Sequence, residues 1–261
     1  MKPSETMEPA HLEADLKTLQ LPAVAASWQR LAEEAAKKRR PHAEYLADLM
    51  SLEVSGRRER RIERRMSEAR FPILKTLDTF DFKAQPTLDR DTLLELARGD
   101  FVAEHRNLIF VGGVGTGKTH LAIALGVACC QREHRVRYTT AAELTTALVE
   151  AKSQDRLSRK LEQFARFDVV VLDELGYVPF DKQGADLLFG FITRVYERRA
   201  LIVTTNLPFA EWAQVFLDAT AAAAVIDRVV HHATIVKTEG PSYRLKQSKE
   251  GRARRKEAVA P

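Results

Sequence analysis

The stretch FVGGVGTGKTHLA, Phe110 to Ala122, carries Gly112, Gly117, Lys118 and Thr119 at the spacing G-x-x-x-x-G-K-[ST]. Glycines so placed let backbone N–H groups turn inward around phosphate oxygens, and a helix opening directly behind them adds its partial positive charge. Lys118 then reaches the β and γ phosphates, and the Thr119 hydroxyl ligates Mg²⁺. The candidate cradle is therefore the run Gly112, Gly113, Val114, Gly115, Thr116, Gly117, Lys118, Thr119 and His120.

Such cradles serve kinases, motors, switches and loaders alike, so the reaction must be read elsewhere. VVVLDEL, Val169 to Leu175, ends an apolar run in two carboxylates. Asp173, at the carboxyl end of a buried strand, is placed to hold Mg²⁺ directly or through water. Glu174 is the more telling residue. A switch GTPase or a small-molecule kinase has no need of it, whereas a hydrolase can use it to orient and deprotonate the attacking water. The bland reading is a solvated acidic pair ending a strand. A third run, ALIVTTN, ends in Asn206, whose amide can sense the γ-phosphate or merely end the strand by bonding its own backbone.

These residues need a frame that brings strand ends together. NLIFV, RVRYT, DVVVLD, ALIVTT and ATIVK are short apolar runs separated by helical patterns, including one from Lys118 and one from near Ala185 to Glu197. Runs buried on both sides and separated by helices imply a parallel sheet with helices on both faces. The fold class is α/β. Ahead of it, Leu12, Leu16, Leu19, Trp28 and Leu31 recur at helical spacing, Pro22 opens a second helix, and Pro41 restarts the pattern with Tyr45, Leu46, Leu49 and Leu52 on one side. The expected partition is a helical domain over 1–70, an ordered connector over 71–86, the α/β domain over 87–245, and a basic tail over 246–261.

Composition agrees with a cytoplasmic globular protein: apolar residues make up 45% and charged residues 30%. No run approaches a membrane span, and the polar start lacks the apolar region of a signal peptide. Cys129 and Cys130 are neighbours in an apolar helix and read as packed, reduced thiols. The net charge of +5 is local, because the last 21 residues hold seven Lys/Arg against two Glu. His231 and His232 read as flanking a helix end, since no nearby Cys, Asp or further His offers ligand spacing.

The cradle, the acidic pair and the polar strand end, in this order, resemble the AAA+ ATPases. THLAIAL, LDELGYVPF, LLFGFITRVYERR, TTNLPFAEWAQVF, AAAAVIDRVVHH and GPSYRLKQS sharpen the match to the IstB family of transposition helpers, relatives of the DnaC helicase loader, over about residues 10 to 248. The resemblance implies ATP and Mg²⁺ as cofactors. It makes Arg228 an arginine finger acting in trans, which makes a homo-oligomer part of the active site, and it offers Arg244 as a second phosphate sensor. In relatives the segment before the cradle helps cover adenine, so Phe80 and Phe82 are candidates beside plain core packing. Two departures stand out: Gly113 and Val114 where relatives often carry a proline, and Pro241 at a position often acidic.

The resemblance also implies duplex DNA and a transposase as partners. In AKSQDRLSRKLEQFAR, Lys152, Arg156, Arg159 and Lys160 fall on one face of an expected helix, in a region that faces DNA in the resembling clade. In RRERRIERR, Arg57, Arg58, Arg61, Arg64 and Arg65 can grip phosphates, or pair with Glu59 and Glu63 and dock a partner protein. The reading is an ATPase that oligomerises on target DNA and recruits or stimulates a transposase. A replicative helicase loader shares the core, and a small-molecule P-loop kinase is disfavoured by Glu174 and Arg228.

Overall fold

The computed structural model describes residues 9–177 and 179–243, so Arg244 and the basic tail lie outside the described residues. The chain divides into two compact units, Met1–Arg64 and Arg65–Pro261. The division falls inside one helix, α3 (His42–Ala69), six residues before the expected boundary at residue 70.

The first unit contains α1 (Pro9–Thr18), α2 (Pro22–Lys37) and most of α3. Pro22 occupies the first turn of α2, where its missing N–H is not needed. Leu16, Val24 and Leu49 are buried together, with Leu12, Leu21, Trp28, Leu31 and Tyr45 packed around them. Leu46 and Leu52, expected on the same side of α3, are instead exposed. They stand three residues before and after Leu49, roughly 60° to either side of it at 100° per residue, so they flank the core instead of entering it.

Glu53 is buried in this small unit, 3% exposed. Its carboxylate accepts from the Ala23 and Val24 amides at 2.9 and 3.3 Å, capping α2 from a distance. Arg57 and Arg60 approach the same carboxylate at 3.0 and 3.3 Å. Burial alone would raise its pKa, but the Arg57 hydrogen bond and the two amides together hold it below the usual carboxylate value. Two arginines of the basic run, Arg57 and Arg60, thus pair with Glu53. Arg65 is bound elsewhere again, to Glu68 at 3.2 Å and the Glu133 carbonyl at 3.0 Å.

In the second unit five strands, β1 (Asn107–Gly112), β2 (Val136–Thr140), β3 (Val169–Leu175), β4 (Ala200–Thr205) and β5 (Ala233–Thr238), form one sheet in the order β2-β3-β4-β1-β5. All four pairings are parallel. This is the expected α/β architecture. Alternate residues divide between two cores, as the period of a strand demands. Leu108, Phe110, Tyr138, Val169, Val171 and Ile202 pack with α6 (Lys118–Gln131) on one face. Ile109, Val170, Leu172, Leu201 and Val203 pack on the other face. That face is covered by α7 (Ala141–Ser153), α8 (Leu157–Phe164), α9 (Lys182–Val195), α10 (Ala213–Phe216) and α11 (Ala219–Val230), while α4 (Arg90–Leu96) and α5 (Asp100–Ala103) join α6 on the first.

Cys129 and Cys130 are buried, unbridged and inside α6, and burial pushes both thiols up to about 12, where they stay protonated. The connector is ordered by two 3-10 turns, Leu77–Thr79 and Phe82–Ala84, the second capped by the Asp81 carboxylate. No helix among the described residues is long and apolar enough to cross a membrane.

Candidate active site

The loop between β1 and α6 turns at glycines that a side chain could not replace. Gly117 caps α6 with φ of 98°, and a Cβ there would stand 2.7 Å from the Phe80 ring. Lys118 folds back over the loop, donating from Nζ to the Gly112 and Gly113 carbonyls at 2.8 and 2.6 Å. Gly115 to His120 line a cavity of about 440 Å³ whose other walls come from the connector, including Ile73, Thr79, Phe80 and Gln85, and from Tyr243. His120 ties the two together: its Nε2 lies 3.0 Å from the Thr76 carbonyl and its ring meets Phe80 edge-on at 5.1 Å. Burial is the main cause that lowers its pKa, so it favours the neutral form. Phe80 lines the cavity. Phe82 packs on Phe80 at 5.0 Å and does not line it.

Strand parity explains the acidic end of the candidate site. Asp173 and Thr204 continue the alternation of Val169–Val171 and Ala200–Ile202, so both face α6, and Tyr138 shares that face through its pairing with Val171. Asp173 is 1% exposed, and its carboxylate accepts from three hydroxyls. Thr119 donates to Oδ1 at 3.0 Å, Tyr138 to Oδ2 at 2.7 Å, and Thr204 to Oδ1 as well. Burial first, and the Asp173 bond second, raise the Tyr138 pKa, keeping it a proton donor. No cation pairs with Asp173 among the described residues. A buried carboxylate beside a threonine hydroxyl, with no protein cation, is the oxygen-rich donor set that suits Mg²⁺.

Glu174 sits one residue on, exposed, with φ of 59°. The β3–β4 register shifts between Leu172 and Leu175, so the strand bulges where the two carboxylates stand. A non-glycine residue in the left-handed region is held there by its surroundings. Here the Thr204 hydroxyl accepts from the Glu174 amide at 2.9 Å while donating to Asp173. One hydroxyl therefore fixes both acids. Tyr138 and Thr204 escaped the sequence reading, although strand parity and register could have found them. Asn206 follows directly on β4, half-buried, at the same end of the sheet.

Arg228 lies elsewhere. It ends α11, donates to its own helix at the Ala224 carbonyl (2.7 Å), and stacks on Phe189 with 5.4 Å to the ring centroid. Its neighbour Val229 accepts at 3.0 Å from Asn107, the first residue of β1, whereas the phosphate loop follows the last. The strand separates them by about 17 Å at ~3.3 Å per residue. Arg228 therefore stands at the end of the sheet opposite its own phosphate loop.

One expectation needs correction. Lys152, Arg156, Arg159 and Lys160 do not share one helix: Lys152 is in the last turn of α7, Arg156 precedes α8 (Leu157–Phe164), and Asp155 breaks the run with φ of 53°. The first three are exposed, while Lys160 lies over Phe164 at 5.9 Å. His231 and His232 flank a helix end as expected, His231 being the C-cap residue of α11, but a carboxylate distant in sequence also lies beside them. Donor atoms of Glu197, His231 and His232 lie within 4.8 Å of one another, all exposed, with the Tyr196 hydroxyl 2.9 Å from His231 Nδ1. A separation of 34 residues hid Glu197 from any reading of spacing. Arg57, Arg58 and Arg61 all lie on the exposed surface of α3.

Comparison with solved structures places the α/β unit in the P-loop AAA+ fold. The DnaC helicase loader is 22% identical with a TM-score of 0.52, covering 63% of this chain and 96% of that one. AMPPCP-bound DnaA from Aquifex aeolicus is 22% identical with a TM-score of 0.53, covering 67% and 54%. In sequence, the ATP-binding protein named for insertion sequence IS21 of Pseudomonas aeruginosa is 41% identical over 91% of this chain and 90% of its own. Its counterpart named for IS5376 of Geobacillus stearothermophilus is 36% identical over 88% and 92%. The model of the family described as IstB-like ATP binding protein matches residues 14–251, a span that holds the phosphate loop, both acids and Arg228. The chain belongs to that family, and it is an ATPase.

Proposed function

We propose that this ATPase assembles into an oligomer on target DNA, uses Mg²⁺ with ATP, and recruits or stimulates the transposase of an insertion sequence. The observation that carries the reading is the position of Arg228, half-buried at the sheet end opposite its own phosphate loop. A family finger in that place serves a nucleotide only on a neighbouring subunit, which makes hydrolysis a property of the assembly. The relatives named for insertion sequences support the biological setting.

Within one subunit, Lys118 and the loop amides hold the phosphates. Thr119 and Asp173 hold the metal, which when bound supplies charge to the β and γ phosphates. Glu174, fixed through Thr204, orients the attacking water and takes its proton, and Asn206 marks the γ-phosphate. The cations around α8 and the exposed arginines of α3 contact DNA phosphates, a sequence-tolerant and salt-sensitive mode. Phe80 covers one side of the base, and Arg244 serves as a second phosphate sensor. The α3 unit serves DNA or the partner protein.

Mixing tests this reading. Arg228→Ala and Glu174→Gln are each inactive alone, and the mixture regains hydrolysis in the presence of DNA, because some interfaces then join an intact finger to an intact base. A mixture as inactive as its parts would overturn action in trans.

A further inference from the structure

The cavity in front of the phosphate loop has a second end, built by the connector and the C-terminal segment. Ile73, Phe80, Ala84 and Ile123 give it apolar walls. Its polar side chains are mostly engaged. Asp81 accepts from the Lys83 and Ala84 amides, Thr79 donates to the Thr76 carbonyl, and His120 meets that same carbonyl. Gln85 differs. It lines the cavity and is 2% exposed, yet neither its Oε1 nor its Nε2 has a hydrogen-bond partner among the described residues. Native interiors rarely leave both ends of a buried amide unbonded, because the group gave up water for nothing in return.

The amide's surroundings show how it is held. A Cβ at Gly240 would stand 3.7 Å from both of its polar atoms, so the C-terminal segment backs it closely. That segment is itself tied to the cradle, with the Tyr243 amide donating to the Gly115 carbonyl at 3.0 Å. Gln85 is thus clasped between the connector and a segment that touches the phosphate loop.

We propose that Gln85 is the base-reading residue of the ATP site. The carboxamide turns from its packed position onto the edge of adenine when the base enters between the connector walls, Oε1 accepting from the 6-amino group and Nε2 donating to a ring nitrogen. A carboxamide matches that donor and acceptor pair two for two. The Phe80 ring and the aliphatic walls supply the contact with the faces of the base. Base recognition and phosphate binding are then coupled through Tyr243 and Gly115.

The test compares ADP with the diphosphate of purine riboside, which lacks only the 6-amino group, by titration calorimetry on the full chain. The unaltered protein should bind ADP roughly tenfold to a hundredfold more tightly than the analogue. Gln85→Met, which keeps the volume and removes the amide, should lose that preference, weakening ADP more than the analogue, which has only the ring-nitrogen contact to lose. Equal binding of both ligands by the unaltered protein overturns the proposal without need of a variant. So does a Gln85→Met chain that keeps the preference, or one that loses both ligands equally, since a purely structural glutamine would do either.

Discussion

Glu53 and Asp173 are both buried carboxylates, and they are used in opposite ways. Glu53 is surrounded by positive charge, with two arginines and the amino end of α2 converging on it. Asp173 is surrounded by hydroxyls that orient it without neutralising it. A buried anion left without a cation is costly to maintain. The first arrangement folds a small helical unit around a satisfied acid. The second, in the proposed role, would offer its charge to a metal and its phosphates.

The sharpest way to break this contrast is Asp173→Asn, which keeps the shape and removes the charge. ATP hydrolysis should fall by roughly a thousandfold while the thermal midpoint moves by only a few degrees. A large loss of stability with activity retained would make Asp173 another Glu53. Next comes Glu53→Ala, which strands Arg57 and Arg60 and uncaps α2. It should destabilise the first unit by about 2–3 kcal/mol in urea titration, a figure reduced because both arginines are half exposed, and leave hydrolysis without DNA within about twofold.

A smaller effect is expected from Tyr138→Phe, which removes one hydroxyl from Asp173. Hydrolysis should drop about tenfold with a raised Mg²⁺ requirement, as loss of an outer partner does at metal sites. Smallest is a pH effect in the first unit. Glu53 titrates below its ordinary value, so its contribution is present above the usual carboxylate range and fades as pH falls through the lowered value. Unfolding followed by circular dichroism from pH 6 to 3 should show a steeper loss for the unaltered chain than for Glu53→Gln. Equal slopes would deny that the arginines and amides hold this acid charged.

Much of the active site was legible because its chemistry is local. Gly112 to Thr119 form one continuous turn, and Asp173 with Glu174 is a strand end, so their proposed roles rest on short spacings and on the hydrophobic runs before them. The same runs marked all five strands. The pairing of Arg57 and Arg60 was not legible, because their partner Glu53 lies just before the run and is recognisable only once α2 is packed against α3 within the first unit. The cations of 152–160 misled because a single left-handed residue, Asp155, turns one expected helix into two.

The sequence by itself determined the phosphate loop, the paired acids, the strand set and the family, since each rests on residues close together in the chain. Tertiary structure alone decided which hydroxyls hold Asp173, that one threonine serves both acids, that Glu197 meets two histidines, and that Gln85 is left with an unmet amide beside the cavity. It also decided that Arg228 stands a strand's length from its own loop. These facts depend on register and crossover, which bring residues tens of positions apart into contact, and no spacing along the chain encodes that distance.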